Sequence, residues 1–269
     1  MQTKFFSIVV VSLNSGVGLK ETLQSILMQT YTDYEVIIKD GGSTDGSLNF
    51  LKEEGVLEKY PQIHLIVEKD KSIYDGMNQA VQYVSGRYVQ FLNCGDLFYD
   101  EQVLQKVADY IGDESEVAIY YGNQYNRIQK TVVTSVPKIN EFACYRNVPC
   151  HQVCFYDGRL FEKRAYITEY TVRADYEHFL YSVYEEKAKT RPMPVIVCTY
   201  EGGGYSETKE NRKKSEEQHK EITKKYMGIR AVLYRLIMML TFAGLRTALA
   251  ESPHFSKIYN AVKSLIYRR

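Results

Sequence analysis

The chain has 269 residues, 45% hydrophobic and 25% charged, which excludes a disordered segment and leaves room for one large α/β domain or two modest ones. A net charge of +1 excludes a protein-wide nucleic-acid footprint. Five cysteines, an odd number at irregular spacing, exclude a regular disulfide framework and point to a reducing compartment.

The first residues run straight into residues 5–11 (FFSIVVV). This short apolar, β-branched run suits a strand buried on both faces of a parallel sheet. A signal peptide would need a charged start, a longer apolar stretch and a small-residue cleavage site, so a cytoplasmic chain is expected. Residues 12–16 form a turn cluster, and 19–28 then carry helical spacing through Leu19, Leu23, Ile26 and Leu27. Residues 35–39 (EVIIK) are a second buried strand, ending at the turn formers DGGSTDG over 40–46. A helix is expected over 47–54, a strand over 63–67, a helix over 74–84 and a strand over 87–92, which ends at Asn93, Cys94, Gly95 and Asp96. Strand and helix alternating in this order build a right-handed parallel α/β half. Ligands of such sheets sit beyond the carboxyl ends of the strands, where the loops after Val11, at Asp40 and at 93–96 all fall.

The second half is less regular. A helix is expected over 101–111, antiparallel strands over 117–122 and 131–136, a strand over 153–156, a helix over 175–185 and a last strand over 195–200. Gly202, Gly203 and Gly204 follow, either a flap over a ligand or an ordinary loop. No repeat or linker divides this stretch, which reads as one mixed domain.

Three carboxylates and one histidine could carry chemistry. Asp40 at a strand end can accept from a nucleobase N–H or a ribose hydroxyl, with the glycines after it allowing close backbone approach; the same residues also make a capped turn. Asp96 can hold Mg2+ or Mn2+ while diphosphate oxygens fill the shell, or it can cap a helix. Asp175 opens a helix, as an N-cap or as a proton acceptor. His151 is structural or faces a ligand. Cys144, Cys150, His151 and Cys154 suggest zinc, but the spacing C-x5-C-H-x2-C matches no usual zinc pattern, and core cysteines fit it better.

As an ordered set, VVVSLN, KDGGSTDG, EKDKSIYDGMNQA and QFLNCGD resemble the nucleotide-binding half of family 2 glycosyltransferases. The resemblance runs over about residues 5–206 and is closest to the bacterial subgroup that builds capsule, exopolysaccharide and O-antigen chains. It implies an α/β GT-A fold, with a Rossmann-like nucleotide-binding half over 1–100, a mixed central sheet and an acceptor-binding half over 101–223. It further implies an inverting mechanism, a divalent cation (Mn2+ or Mg2+), a UDP- or GDP-sugar donor, and an acceptor hydroxyl on a glycan or lipid-linked glycan. By motif, Leu13, Asn14, Asp40, Gly41, Asp70, Lys71, Asp75, Asn93 and Gly95 would surround the donor, with Asn78 starting the supporting helix. Asp96 would hold the metal, His151 would be a second metal candidate, and Asp175 in RADYE would be the catalytic base. Two departures matter. Asn93 and Gly95 stand where many relatives place aspartates, so fewer protein groups would hold the metal. Leu13 stands where some relatives stack an aromatic on the base, which leaves uridine and guanosine both open.

Two other functions compete. A nucleotidyltransferase would need an early basic triphosphate loop, and residues 12–18 contain no Lys or Arg. A nucleotide-sugar-binding or scaffold protein without turnover would suit the weakened acidic motif.

From Lys224 onward nine basic residues meet a single acid, Glu251, a net +8 that leaves −7 on residues 1–223. The tail over 224–269 is expected to be amphipathic and helical. Its uninterrupted apolar stretch, 236–245, is half the ~20 residues a spanning helix needs. Basic residues beside a wide apolar face, then Pro253 and a further helical stretch over 256–269, fit helices lying on the inner face of the cell membrane. The alternative is a helical pair packed on the body or on a second subunit.

Overall fold

The computed structural model describes residues 4–200 and 208–240. The glycine run at 202–204 and the tail beyond Leu240 lie outside the described residues.

One sheet organises the chain. Its strands are β1 (Lys4–Ser12), β2 (Tyr34–Asp40), β3 (Ile63–Val67), β4 (Gly86–Phe91), β5 (Leu97–Phe98), β6 (Ala118–Asn126), β7 (Thr131–Val133), β8 (Cys154–Asp157) and β9 (Lys189–Tyr200). Their order is β3-β2-β1-β4-β8-β6-β9-β5, with β7 on the far end of β6. The first four strands are parallel, as the alternating pattern predicts. β8 is antiparallel to β4 and β6, β6 and β9 are parallel, and β5 is antiparallel to β9. β1 and β2 are buried nearly end to end, so their apolar residues face helices on both sides, and the continuous runs FFSIVVV and EVIIK follow from that.

The helices are α1 (Gly18–Leu27), α2 (Asn49–Glu53), α3 (Val56–Lys59), α4 (Ile73–Ala80), α5 (Val103–Ile111), α6 (Glu141–Arg146), α7 (Arg159–Lys163), α8 (Ala174–Tyr184), α9 (Lys209–Met227) and α10 (Ile229–Leu240). The expected helix over 74–84 passes into a 3-10 turn at Val81–Tyr83. β9 starts earlier than the expected strand at 195. Pro192 and Pro194 argue against a strand there, but the β6–β9 register shifts between Tyr121 and Asn123, and such a bulge tolerates residues that cannot donate to the ladder. Gly122 permits that shift, since a Cβ there would lie 2.5 Å from the Val195 carbonyl oxygen. β7 ends before the expected 136, because Ser135 turns back to donate its hydroxyl to the Gly122 carbonyl.

α9 spans the expected boundary between residues 223 and 224, and Thr223 is buried within it. Its attachment is mostly polar. The fully buried Glu177 carboxylate of α8 accepts from Arg164 at 2.8 Å, Lys225 at 2.8 Å and the Tyr226 hydroxyl at 2.5 Å. α10 then lays Ala231 and Tyr234 on the body and pairs Arg230 with Glu141 at 3.1 Å. Its outer face exposes Ile229, Val232, Leu233, Leu236 and Met239.

Burial pushes the Glu177 carboxyl up, but hydrogen bonds from Arg164, Lys225 and Tyr226 outweigh it and hold the group below the usual glutamate range. A depressed native pKa contributes stability above the unfolded value and loses it as pH falls through the native value. Glu177→Gln leaves two cations facing a neutral amide and is expected to cost about 3 kcal/mol or more at pH 7. Urea unfolding should show that loss, with the gap to the parent protein narrowing below roughly pH 4.

Candidate active site

The carboxyl ends of β1 and β4 open on a cleft of about 630 Å³. Its walls are the loop after β1, the segment leading into α4, the loop after β4, the 3-10 turn His151–Val153 and the start of α8. Leu13, Asp70, Lys71, Asn93, Gly95, Asp96, His151 and Asp175, all expected at the site, line it.

Asp96 lies in the wall, 5% exposed. Two side chains fix its surroundings. Gln90, fully buried in β4, donates to the Gln152 carbonyl at 2.8 Å, and Gln152 donates to Asp96 Oδ2 at 3.1 Å. From α1, the Thr22 hydroxyl donates to the Asp96 carbonyl and accepts from the Gly95 amide, each at 2.9 Å. Gly95 has φ +94°, a left-handed conformation that glycine adopts without strain.

Asp175 opens α8 with its side chain 24% exposed. His151 Nδ1 lies 3.1 Å from Asp175 Oδ2, and the Tyr74 hydroxyl reaches Asp175 Oδ1 at 2.9 Å and the Val172 carbonyl at 3.0 Å. Asn93 Nδ2 approaches His151 Nε2 at 3.2 Å. One tautomer satisfies this chain: Asn93 donates to Nε2, and Nδ1–H donates to the carboxylate. Burial pushes the Asp175 carboxyl up, yet the hydrogen bonds from His151 and Tyr74 keep it below the usual aspartate range. The group is therefore a carboxylate at neutral pH, able to accept a proton.

The wall opposite is built on a buried ion pair. Lys39, fully buried at the end of β2, donates to Asp70 Oδ2 at 3.0 Å and to the Glu68 carbonyl at 2.5 Å. Gly41 stands so close that a Cβ there would lie 2.7 Å from Asp70 Oδ2. Lys39 was not anticipated, although a lysine closing the buried run EVIIK is the signal that would have found it, since a charge in a two-sided strand needs a partner.

Four expected donor residues are not among those lining the cleft: Asn14, Asp40, Gly41 and Asp75. Asp40, expected to meet the base or ribose, accepts from the Gly42 and Ser43 amides and from the Ser43 hydroxyl. Asn14 accepts from the Thr44 amide and ties the first loop to the second. Asp75 accepts from the Lys71 amide and from Gln79, while the Ser72 hydroxyl caps α4. Asn78 anchors α4 to both backbone groups of Tyr166.

A hard divalent cation suits this donor set. Mg2+ and Mn2+ bind through one or two carboxylates and complete their shell with phosphate oxygens, and Asp96 would be the carboxylate to hold one. Among the described residues no group of three or more His, Cys, Asp or Glu could hold a metal ion alone. Cys144 and Cys154 are buried, and the Cys150 thiol donates to the Gln124 side-chain oxygen at 2.8 Å, so these cysteines lie in and against the core.

A parallel nucleotide-binding half, continued by β8, β6 and β9 into a mixed sheet and opening on a cleft with carboxylates in its walls, is the GT-A glycosyltransferase arrangement. The chain belongs to that class through glycosyl transferase family 2, whose model matches residues 7–171. PGL/p-HBAD biosynthesis glycosyltransferases of Mycobacterium bovis and Mycobacterium tuberculosis are 32% identical over 212 residues, covering 77% of this chain and 81% of theirs. Among solved structures, S. aureus TarS 1–349 in complex with UDP superposes with TM-score 0.62 at 17% identity over 84% of this chain and 68% of that one. Mannosyltransferase PcManGT from Pyrobaculum calidifontis, in complex with GDP-Man and Mn2+, gives TM-score 0.63 at 15% identity over 97% and 87%. The chain spans 37% of the longer S. aureus TarS structure.

Lys39→Met should strand the buried Asp70 carboxylate and cost about 3–5 kcal/mol. The double variant Lys39→Met/Asp70→Asn should recover part of that loss, as read by urea unfolding. Equal stability of the single and double variants would refute the pairing.

Proposed function

We propose that this chain is an inverting, metal-dependent glycosyltransferase that moves a sugar from a UDP- or GDP-sugar to an acceptor hydroxyl. The observation that carries the proposal is Asp175, an ionised carboxylate whose hydrogen-bond chain reaches the loop of Asp96. As the acceptor oxygen attacks the anomeric carbon, Asp175 takes its proton, and the bond from that carbon to the diphosphate oxygen breaks. Attack from the face opposite the leaving group inverts the centre. When bound, Mn2+ or Mg2+ would neutralise charge on the departing diphosphate. Asp96 would hold it. His151 would ligate only by giving up Asn93 or Asp175, since both ring nitrogens are engaged.

Leu13, Asp70, Lys71, Asn93 and Gly95 line the donor side, while Asn14, Asp40, Gly41 and Asp75 shape the loops that carry them. Structural neighbours are in complex with UDP and with GDP-Man, which supports a uridine or guanosine diphosphate donor. We assign a glycan or lipid-linked glycan of surface polysaccharide synthesis as the acceptor, and the cytoplasmic face of the membrane as the location. The exposed apolar stripe of α10 and the +8 tail support this, because basic apolar helices bind anionic lipid surfaces. Among the described residues no helix is long and apolar enough to cross a membrane.

Asp175→Asn should lower the rate of transfer about 10²–10⁴-fold while keeping the Mn2+-dependent rise in melting temperature with UDP or GDP. Asp96→Asn should lose that rise. Retained turnover in both folded variants would sink the mechanism.

Leu233→Glu/Leu236→Glu should abolish sedimentation with phosphatidylserine vesicles and leave nucleoside diphosphate release in solution unchanged. If the stripe instead seats a second copy, light scattering will show a dimer that the same substitutions dissociate.

A further inference from the structure

Val172 precedes α8 and is buried against the cleft. Its carbonyl accepts from the Tyr74 hydroxyl, which also holds Asp175. Its amide is taken from the other side by α9: Gln218 Oε1 accepts from the Val172 and Arg173 amides, each at 3.1 Å, and Gln218 Nε2 donates to Thr171 Oγ1 at 3.2 Å. Two backbone N–H groups converge on one atom, and only the amide oxygen can accept from them. Neighbouring contacts reinforce the clamp. Arg173 donates from Nε to Ser215 Oγ at 2.8 Å, and the Tyr170 hydroxyl donates to Glu221 at 2.9 Å.

We infer that Gln218 is a positioning residue for the base: its side-chain oxygen fixes the Val172 and Arg173 peptides and so sets where the Asp175 carboxylate meets Tyr74 and His151. This deepens the proposed function and rests on Asp175 being the base. Gln218 lies beyond the matched residues 7–171 and does not line the cleft. It therefore acts on the chemistry through the backbone, and donor binding has no direct stake in it. Losing the clamp frees the segment to shift by a fraction of an ångström to an ångström. Misplacement of that size costs up to about 10²-fold in rate.

The test compares Gln218→Leu, Gln218→Glu and Ile222→Ala with the parent protein. Ile222 is a fully buried α9 residue outside the clamp, so Ile222→Ala reports what weakening α9 does by itself. Nucleoside diphosphate release from UDP-GlcNAc and GDP-mannose with Mn2+ gives kcat and KM, and the 15N spectrum of the histidine rings of the metal-free protein reports the His151 tautomer without turnover. Gln218→Leu should lower kcat at least about tenfold, leave donor KM within twofold and shift the His151 ring resonances. Gln218→Glu keeps an acceptor oxygen and should restore both readouts. Ile222→Ala should lower the melting temperature and move neither. Unchanged His151 resonances in Gln218→Leu, or equal rate losses in Gln218→Leu and Ile222→Ala, overturn the inference. Activity retained in Asp175→Asn overturns the base assignment instead, so the two failures are separable. If neither donor turns over, the His151 spectrum alone decides.

Discussion

Keeping one carboxylate ionised while it is mostly withdrawn from water is the constraint around which the site is arranged. Burial alone would favour the protonated form of Asp175. The fold answers with donors from separate parts of the chain, Tyr74 from α4 and His151 from the 3-10 turn before β8. Each donor dictates the placement of its own element. Tyr74 can reach Asp175 only because Asn78, one turn further along α4, is pinned to the Tyr166 backbone. His151 can present Nδ1–H only because Asn93 occupies Nε2, an arrangement that leaves Asn93 Oδ1 buried without a partner. Asn93 belongs to the same loop as Asp96. Asp175 and the loop of Asp96 are thus joined through two side chains, His151 and Asn93.

The protein spends buried charge at two further points, and both are places where orientation matters more than stability. Replacing a buried ion pair with apolar residues of equal volume is often neutral or stabilising, so Lys39–Asp70 and the Glu177 cluster are weak devices for holding a fold together. They are strong devices for aiming groups. Lys39 sets the carboxylate of Asp70 at the cleft wall, and Glu177 joins α8, three residues past its start, to the charged helix α9.

How much of this was legible in the sequence depended on the range of the interaction. Strands β1, β2 and β4 were visible because two-sided burial demands continuous apolar runs, and the loops at their carboxyl ends marked the cleft; β3, at the sheet edge, is partly exposed and showed as a short apolar run. α9 was not visible: KENRKKSEEQHKEITKKYM is charged on nearly every face, and few of its residues are buried, so no apolar stripe announces it. The extra length of β9 was hidden by two prolines that only a bulge accommodates. Within the site, Asp175 and Asp96 could be named from motifs, but their partners could not. Tyr74 and Asp175 are 101 positions apart, and no local pattern encodes a meeting at that separation. Asp40 and Asp75 were legible as residue types suited to ligand contact, but their bonds to nearby backbone amides follow from loop geometry that the sequence does not spell out.

This division of labour has a consequence for how the chain could change. The matched family region ends at residue 171, immediately before the segment that carries Asp175. The loops after β1, β2 and β4 therefore lie within the shared region, while Ser215, Gln218 and Glu221, which hold the segment before Asp175, lie after it, in α9. Under the proposed function, substitution in α9 would act on Asp175 through the Val172 and Arg173 peptides without touching Asp40, Asp70 or Asp96. The apolar stripe of α10 sits on the helix that follows α9, and α9 holds the peptides leading into the base. α10 packs against α9 and α6, so the helix with the exposed apolar stripe and the helix whose Gln218 holds the peptides before Asp175 are neighbours in the fold.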